Sequence, residues 1–216
     1  MGQSMYFGQS FSRVGADFRA LLALKFIKII EQNFEHSIRK VNRKFEQDMD
    51  KFVIKKISSV GKIKENLETK PEQPPMCLVE FYPLADYLNG ILSAFNDIRT
   101  CAPLAIADFV TKLIQDSLKF CSKVIISFYR QEQQAFDQEE KEKFTRFCGG
   151  FQLLVNYVQK CIHLVFPLQD VANHIGVPVH QLQKEGLTFI NESAILDQLN
   201  HLMPVDVVSD LNIDSV

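Results

Sequence analysis

Tryptophan is absent from this 216-residue chain, and glycine and proline are scarce, at 9 and 8 residues. Few turn formers exclude a sandwich or barrel of many short strands and point to long helices with few connections. Cysteine is also thin: the 5 thiols Cys77, Cys101, Cys121, Cys148 and Cys161 are odd in number, widely spaced and form no C-x-x-C pair. That spacing argues against a disulfide framework or a zinc site and for reduced, buried thiols of a cytosolic protein. The longest uninterrupted apolar run, Ala20 to Leu24, is far short of the ~20 residues of a membrane span. Met1-Gly2 is followed at position 6 by Tyr6, where a myristoylation signal requires Ser or Thr.

What the chain has in quantity is phenylalanine, 18 residues, within an ordinary globular balance of 46% hydrophobic and 23% charged residues. The length suffices for a sizeable core. The net charge of −2 hides a gradient: residues 1–70 carry 14 Lys and Arg against 8 acids, residues 71–184 carry 10 against 12, and residues 185–216 carry none against 6. A basic arm can attract an anionic surface, but alternation with acids along a helix more often serves solvation.

From Phe11 the apolar residues fall at 11, 14, 18, 22, 26, 29, 34, 38, 41, 45, 49 and 52, with almost every gap three or four. This is one helical stripe. Large rings at Phe18, Phe26, Phe34, Phe45 and Phe52 suit a multi-helix bundle better than a two-stranded zipper. Residues 1–57 therefore read as a long amphipathic helical arm, and residues 58–75, ending in Pro74-Pro75, as a linker. Residues 76–166 read as a helical bundle. Its first helix opens at Pro83 with a stripe of Leu84, Leu88, Ile91, Phe95 and Ile98. Its second follows Pro103 with Leu104, Ala107, Val110, Leu113, Leu118, Cys121, Ile125 and Phe128. The third carries Phe144, Phe147, Phe151, Leu154, Val158, Cys161 and Val165 and stops at Pro167. Short helices around Gly176, Gly186 and Ser193 to Leu202 fill residues 167–203, and residues 204–216 read as an acidic disordered tail. The fold class is all-α, an elongated multi-helix bundle or helical rod.

Searches for chemistry end in structural readings. Gly8-Gln9-Ser10-Phe11-Ser12 lacks the second glycine of a hydrolase nucleophile elbow. It reads instead as a bend at Gly8 and a helix cap at Ser10 or Ser12, with Tyr6 and Phe7 packing back on the first turns. Val171 to Leu182 has the small residue, turn glycine and apolar anchors of a helix-turn-helix. Its second helix holds one Lys and no Arg, too little cation for phosphate contacts, so nucleic-acid binding remains only the alternative reading. His36, His163, His174, His180 and His201 show no metal-ligand spacing. The acids of "DQEEKEK" read as a solvated helix face, and Asp214-Ser215-Val216 is a short pattern for C-terminal carboxylate capture. No catalytic residue, cofactor site or metal site is expected.

Longer strings are more telling. "MYFGQSFSRVGADFR", "QPPMCLVEFYPLADYLNGILSAFNDIRTCAP" and "FPLQDVANHIGVPVHQL" closely resemble the C-terminal half of the family of the eighth subunit of the conserved oligomeric Golgi complex, over roughly residues 5–195. The resemblance implies a helical-rod tethering subunit without a catalytic centre, peripheral on the cytosolic face of the Golgi membrane and acting in retrograde intra-Golgi traffic. It implies as partners the complex's other subunits, chiefly its second lobe, with SNAREs, Rab GTPases and coiled-coil tethers engaged through the assembly. Membrane association would be indirect, and no nucleic acid is involved. Members of that family are much longer, so the chain reads as a shortened form. Partner contact is expected along the first stripe, at Tyr6, Phe7, Phe11, Phe18, Phe26 and Phe34, where missing helices would leave apolar surface open.

Overall fold

The computed structural model describes residues 19–54 and 73–204. Every regular element among them is helical. Helix α1 runs Arg19–Asp50, 32 residues without a Gly or Pro, about 48 Å at 1.5 Å per residue. Its buried residues are Phe34, Ile38, Phe45 and Met49, with Val41 packed beside them. The helix ends two residues before the last member of the stripe. Lys51 N–H and Phe52 N–H bond to the carbonyls of Asp48 and Met49 at 3.3 and 3.1 Å, a tightened last turn that swings Phe52 and then Ile54 into the core.

A 3-10 turn, Met76–Glu80, follows Pro75 and buries Leu78. It hands over to α2, Tyr82–Arg99, with Pro83 in the first turn, where its missing N–H costs nothing. The whole predicted stripe of α2 is buried. Three ring pairs fix α2 as antiparallel to α1: Phe34 with Phe95 (5.9 Å), Phe45 with Tyr87 (5.4 Å) and Phe52 with Tyr82 (5.8 Å). Between them the backbones approach closely. A Cβ on Gly90 would stand 2.7 Å from Val41 Cγ2, so only glycine fits there.

After the 3-10 turn Leu104–Ile106, α3 runs Ala107–Glu132. Its core-facing residues are Val110, Ile114, Leu118, Cys121 and Ile125. The sequence stripe had placed Leu113 there, yet Leu113 is half-buried and Ile114 fully buried. The five-residue gap from Leu113 to Leu118 breaks helical spacing, and Ile114 restores it.

Helix α4, Gln138–Val165, is buried on nearly every face, with Phe144, Phe147, Phe151, Leu154, Val155, Val158 and Ile162 inside. From Phe147 to Val158 no residue is exposed, which makes this stretch the central one of the bundle. Around its first turns Phe144 and Phe147 join Phe52, Phe81, Phe128, Tyr129 and Phe136 in a continuous ring network with centroids 5.0–6.5 Å apart. This accounts for much of the phenylalanine excess: offset and edge contacts let bulky rings fill the end of the bundle.

Pro167 stops α4. Helices α5 (Leu168–Ile175), α6 (Val179–Glu185) and α7 (Glu192–Leu196) follow, with a last 3-10 turn at Asn200–Leu202. Gly176 ends α5 in the left-handed region at φ 81°, and both it and Val177 bond back to Ala172 O, at 2.8 and 3.0 Å. Residues drawn as arm, bundle and C-terminal helices share one core cluster, from Phe34 to Leu202. The Gly8 to Ser12 segment, residues 58–72 of the expected linker and the tail from residue 205 lie outside the described residues; Pro204, where that tail was drawn to begin, lies close to Gly149 of α4.

Candidate functional site

The reactive side chains are disposed for packing. Burial pushes the Cys148 thiol up to about 12 and that of Cys161 to about 11, and raises that of Cys121 further still. Thiols held protonated are poor nucleophiles and poor metal ligands. Contrary to the expectation that all five are buried, Cys77 is half-buried and Cys101 exposed. No group of His, Cys, Asp or Glu among the described residues is placed to hold a metal ion. The acids of "DQEEKEK" are not simply solvated. Asp137 caps α4 by accepting from Glu140 N–H at 2.8 Å, while Glu140 accepts from Asp137 N–H at 2.8 Å. This reciprocal box leaves Glu140 only 4% exposed. The D-x-x-E spacing was there to be read, but the lysines around it favoured the solvated reading.

Polar side chains elsewhere join elements. Ser117 on α3 donates to Asn42 Oδ1 on α1 at 2.5 Å and accepts from Tyr87 Oη on α2 at 2.7 Å, so one buried relay ties three helices. Burial raises the Tyr87 hydroxyl well above its ordinary value.

A second network clasps the C-terminal helices to the bundle. Gln159 on α4 donates to Thr188 O at 2.9 Å and accepts from Ile190 N–H at 2.6 Å. His163, one turn on, reaches Thr188 O at 3.1 Å and stacks edge-on against Phe189 at 4.8 Å. Gln115 on α3 accepts from Asn191 N–H at 2.8 Å, and Asn191 caps α7 through Ala194 N–H at 3.0 Å. The clasped loop holds Thr188 at φ 64°, buried, with Oγ1 lacking a hydrogen-bond partner. A β-branched residue there costs about 1–3 kcal/mol, which the surrounding contacts must offset. Burial lowers the His163 pKa, with the Thr188 carbonyl acting in opposition. Sequence alone offered no signal for this clasp, since its partners come from α3, α4 and a loop 25 to 76 residues away from them.

The helix-turn-helix candidate resolves into α5 and α6 packed about Gly176, with Val171, Ala172 and Leu182 buried as anchors. Of α6's polar side chains, Gln181 bonds Glu185 at 2.6 Å; Lys184 is its lone cation. A surface so poor in positive charge lacks the phosphate contacts that dominate nucleic-acid affinity.

What remains is exposed apolar surface. Of the residues expected to meet a partner, Tyr6, Phe7, Phe11 and Phe18 lie outside the described residues. Phe34 is 2% exposed, against Phe95, and belongs to the chain's own core. Phe26 is half-buried. Besides Leu164 on α4 and Ile175 on α5, the exposed large apolar residues instead fall in two places. One is the 3-10 turn and its neighbours: Met76 (61%) and Val79 (73%), three residues apart on one face, with Tyr82 three residues further on, and Val53 next in the chain to Phe52, whose ring meets Tyr82. Tyr82 is fixed there by donation to Asp48 O at 2.8 Å and by its ring against Phe52. The other is the start of α1, where Leu24 is 65% and Ile29 49% exposed. No helix among the described residues is long and apolar enough to cross a membrane.

The profile of the Dor1-like family matches residues 1–43. The chain is 45% identical over 208 residues to conserved oligomeric Golgi complex subunit 8 of Drosophila melanogaster, an alignment covering 94% of this chain and 36% of the relative. It is 39% identical over 212 residues to the protein of that name from Homo sapiens and 40% identical over 214 residues to that from Bos taurus, covering 94% of this chain and 35% and 34% of theirs. The chain thus spans about a third of the length of the curated relatives it matches. No solved structure matches it.

Proposed function

The chain belongs to the family of conserved oligomeric Golgi complex subunit 8, and from that membership we propose that it is a non-enzymatic subunit of a Golgi vesicle-tethering complex. Its work is to bury helix faces against other subunits, in retrograde transport within the Golgi. The observation that carries this reading is similarity extending over 94% of the chain to relatives bearing that name. The protonated, buried thiols and the acids consumed by a helix cap support a role in assembly over one in catalysis.

The other subunits, chiefly those of the second lobe, are the direct partners in this reading. SNAREs, Rab GTPases and coiled-coil tethers are reached through the assembly, and attachment to the cytosolic face of the Golgi membrane is peripheral. Affinity purification of the tagged chain from cells, followed by identification of bound proteins, tests it. Recovery of the complex's other subunits, insensitive to nuclease, is the expected result; their absence overturns it.

A further inference from the structure

Along α1 the stripe counted from Phe11 advances by three or four residues except between Ile29 and Phe34, where the step is five. At 100° per residue, that step carries the apolar face about 140° round the helix. The structure makes the change of face physical. From Phe34 onward the stripe is buried in the core, and upstream the side chains packed against that core are Ile27 and Ile30. Leu22, Phe26 and Ile29, spaced i, i+4, i+7, lie on the other side, Ile29 49% exposed and Leu22 and Phe26 half-buried. Further along, that same outer side carries Asn33, His36 and Lys40, all exposed. The outer apolar seam therefore covers about two turns, and among the described residues it is not part of the core.

We propose that Leu22, Phe26 and Ile29 form a docking seam for one amphipathic helix of a different subunit, apolar at matching spacing and flanked by Asp or Glu. The spacing is that of helix-to-helix packing, in which a single narrow stripe meets a single helix. Charge chooses the flanks: between Arg19 and Ile30 stand Arg19, Lys25 and Lys28 and no acid, so an acid-flanked partner is attracted and a basic one repelled. The acidic residues after Pro204 of this same chain have suitable charge too, so a cross-link within the chain is an outcome that overturns the seam. The seam is also narrow for a lipid surface, which binds stably only with a broad apolar arc or a second anchor.

The proposal rests on the reading of the chain as a complex subunit, and the test separates the two. The full chain is expressed in cells with the photo-crosslinking residue benzoylphenylalanine in place of Phe26, and the cross-linked peptide is sequenced. The expected product joins position 26 to an acid-flanked amphipathic helix of another subunit. Phe26→Asp with Ile29→Asp then lowers recovery of that subunit by about tenfold or more, and Lys25→Glu with Lys28→Glu does the same even if the Asp pair misfolds. A cross-link to a second copy of the chain, to lipid alone, or to nothing overturns the seam. So does flotation with phosphatidylcholine and phosphatidylserine vesicles that the Asp pair abolishes. If the subunits co-purify with wild type and equally with both variants, the seam fails and the functional reading stands. If no subunit co-purifies with wild type, both fall.

Discussion

Tyr87 Oη lies 2.7 Å from Ser117 Oγ, buried between α2 and α3. Because Ser117 spends its own proton on Asn42 Oδ1 at 2.5 Å, the tyrosine is the donor and the serine is committed on both sides. Ser117→Ala therefore takes one partner from the buried Tyr87 hydroxyl, leaving it Cys121, and the donor from Asn42 Oδ1, and is expected to cost about 1–3 kcal/mol, whereas Tyr87→Phe removes one donor and costs about 1 kcal/mol. Denaturant titration of both variants and of the double mutant checks this; additive effects would mean the relay is not a unit.

Gly90→Ala places a methyl carbon 2.7 Å from Val41 Cγ2. The β-branched Val41 cannot rotate away cheaply, so a loss of about 1–3 kcal/mol is expected. Gly150→Ala meets its nearest neighbours at 3.4 Å and should be neutral or gain up to about 1 kcal/mol from helix propensity. Thermal melts of the pair are the measurement, and equal effects would contradict the close approach of α1 and α2.

The cysteines should label in order of exposure. Cys101 reacts with Ellman's reagent promptly and Cys77 more slowly, while Cys121, Cys148 and Cys161 react only at the rate of unfolding. Their folded-state pKa values lie above the unfolded 9.0. The stabilisation from keeping them protonated is thus complete below pH 9 and is lost as pH rises through 11 and 12. Replacing Cys148 and Cys161 by Ala should flatten that alkaline decline.

His163 has the opposite sign. Its folded pKa is lowered from 6.5, so its contribution is present above that value and is lost as pH falls through the lowered one. Acidification should loosen the clasp before the core. Hydrogen exchange at Ile190 and Asn191, whose amides bond to Gln159 and Gln115, should accelerate on acidification more than exchange in the middle of α4, after correction for intrinsic rates. His163→Gln should remove that pH dependence.

Sequence by itself determined the helices. Spacing of three and four, Pro83 at a helix start, Pro167 at a stop, and Gly176 and Gly186 at turns are local instructions that act wherever the chain lies. It also exposed the lack of ligand spacing among the histidines, and through its long strings it revealed the family. Tertiary structure decided what each face meets. Phe34 and Ile29 stand five residues apart in the stripe, about 140° round the helix, so spacing puts them on two faces; that the face of Phe34 lies in the core while Ile29 opens outward was decided by the helix opposite. Leu113 gave way to Ile114 for the same reason. The relay of Asn42, Ser117 and Tyr87 and the clasp of Gln115, Gln159 and His163 join residues 25 to 76 positions apart. Such pairings are set only when helices pack, since the cost of burying a polar group is met by a partner that sequence proximity does not supply.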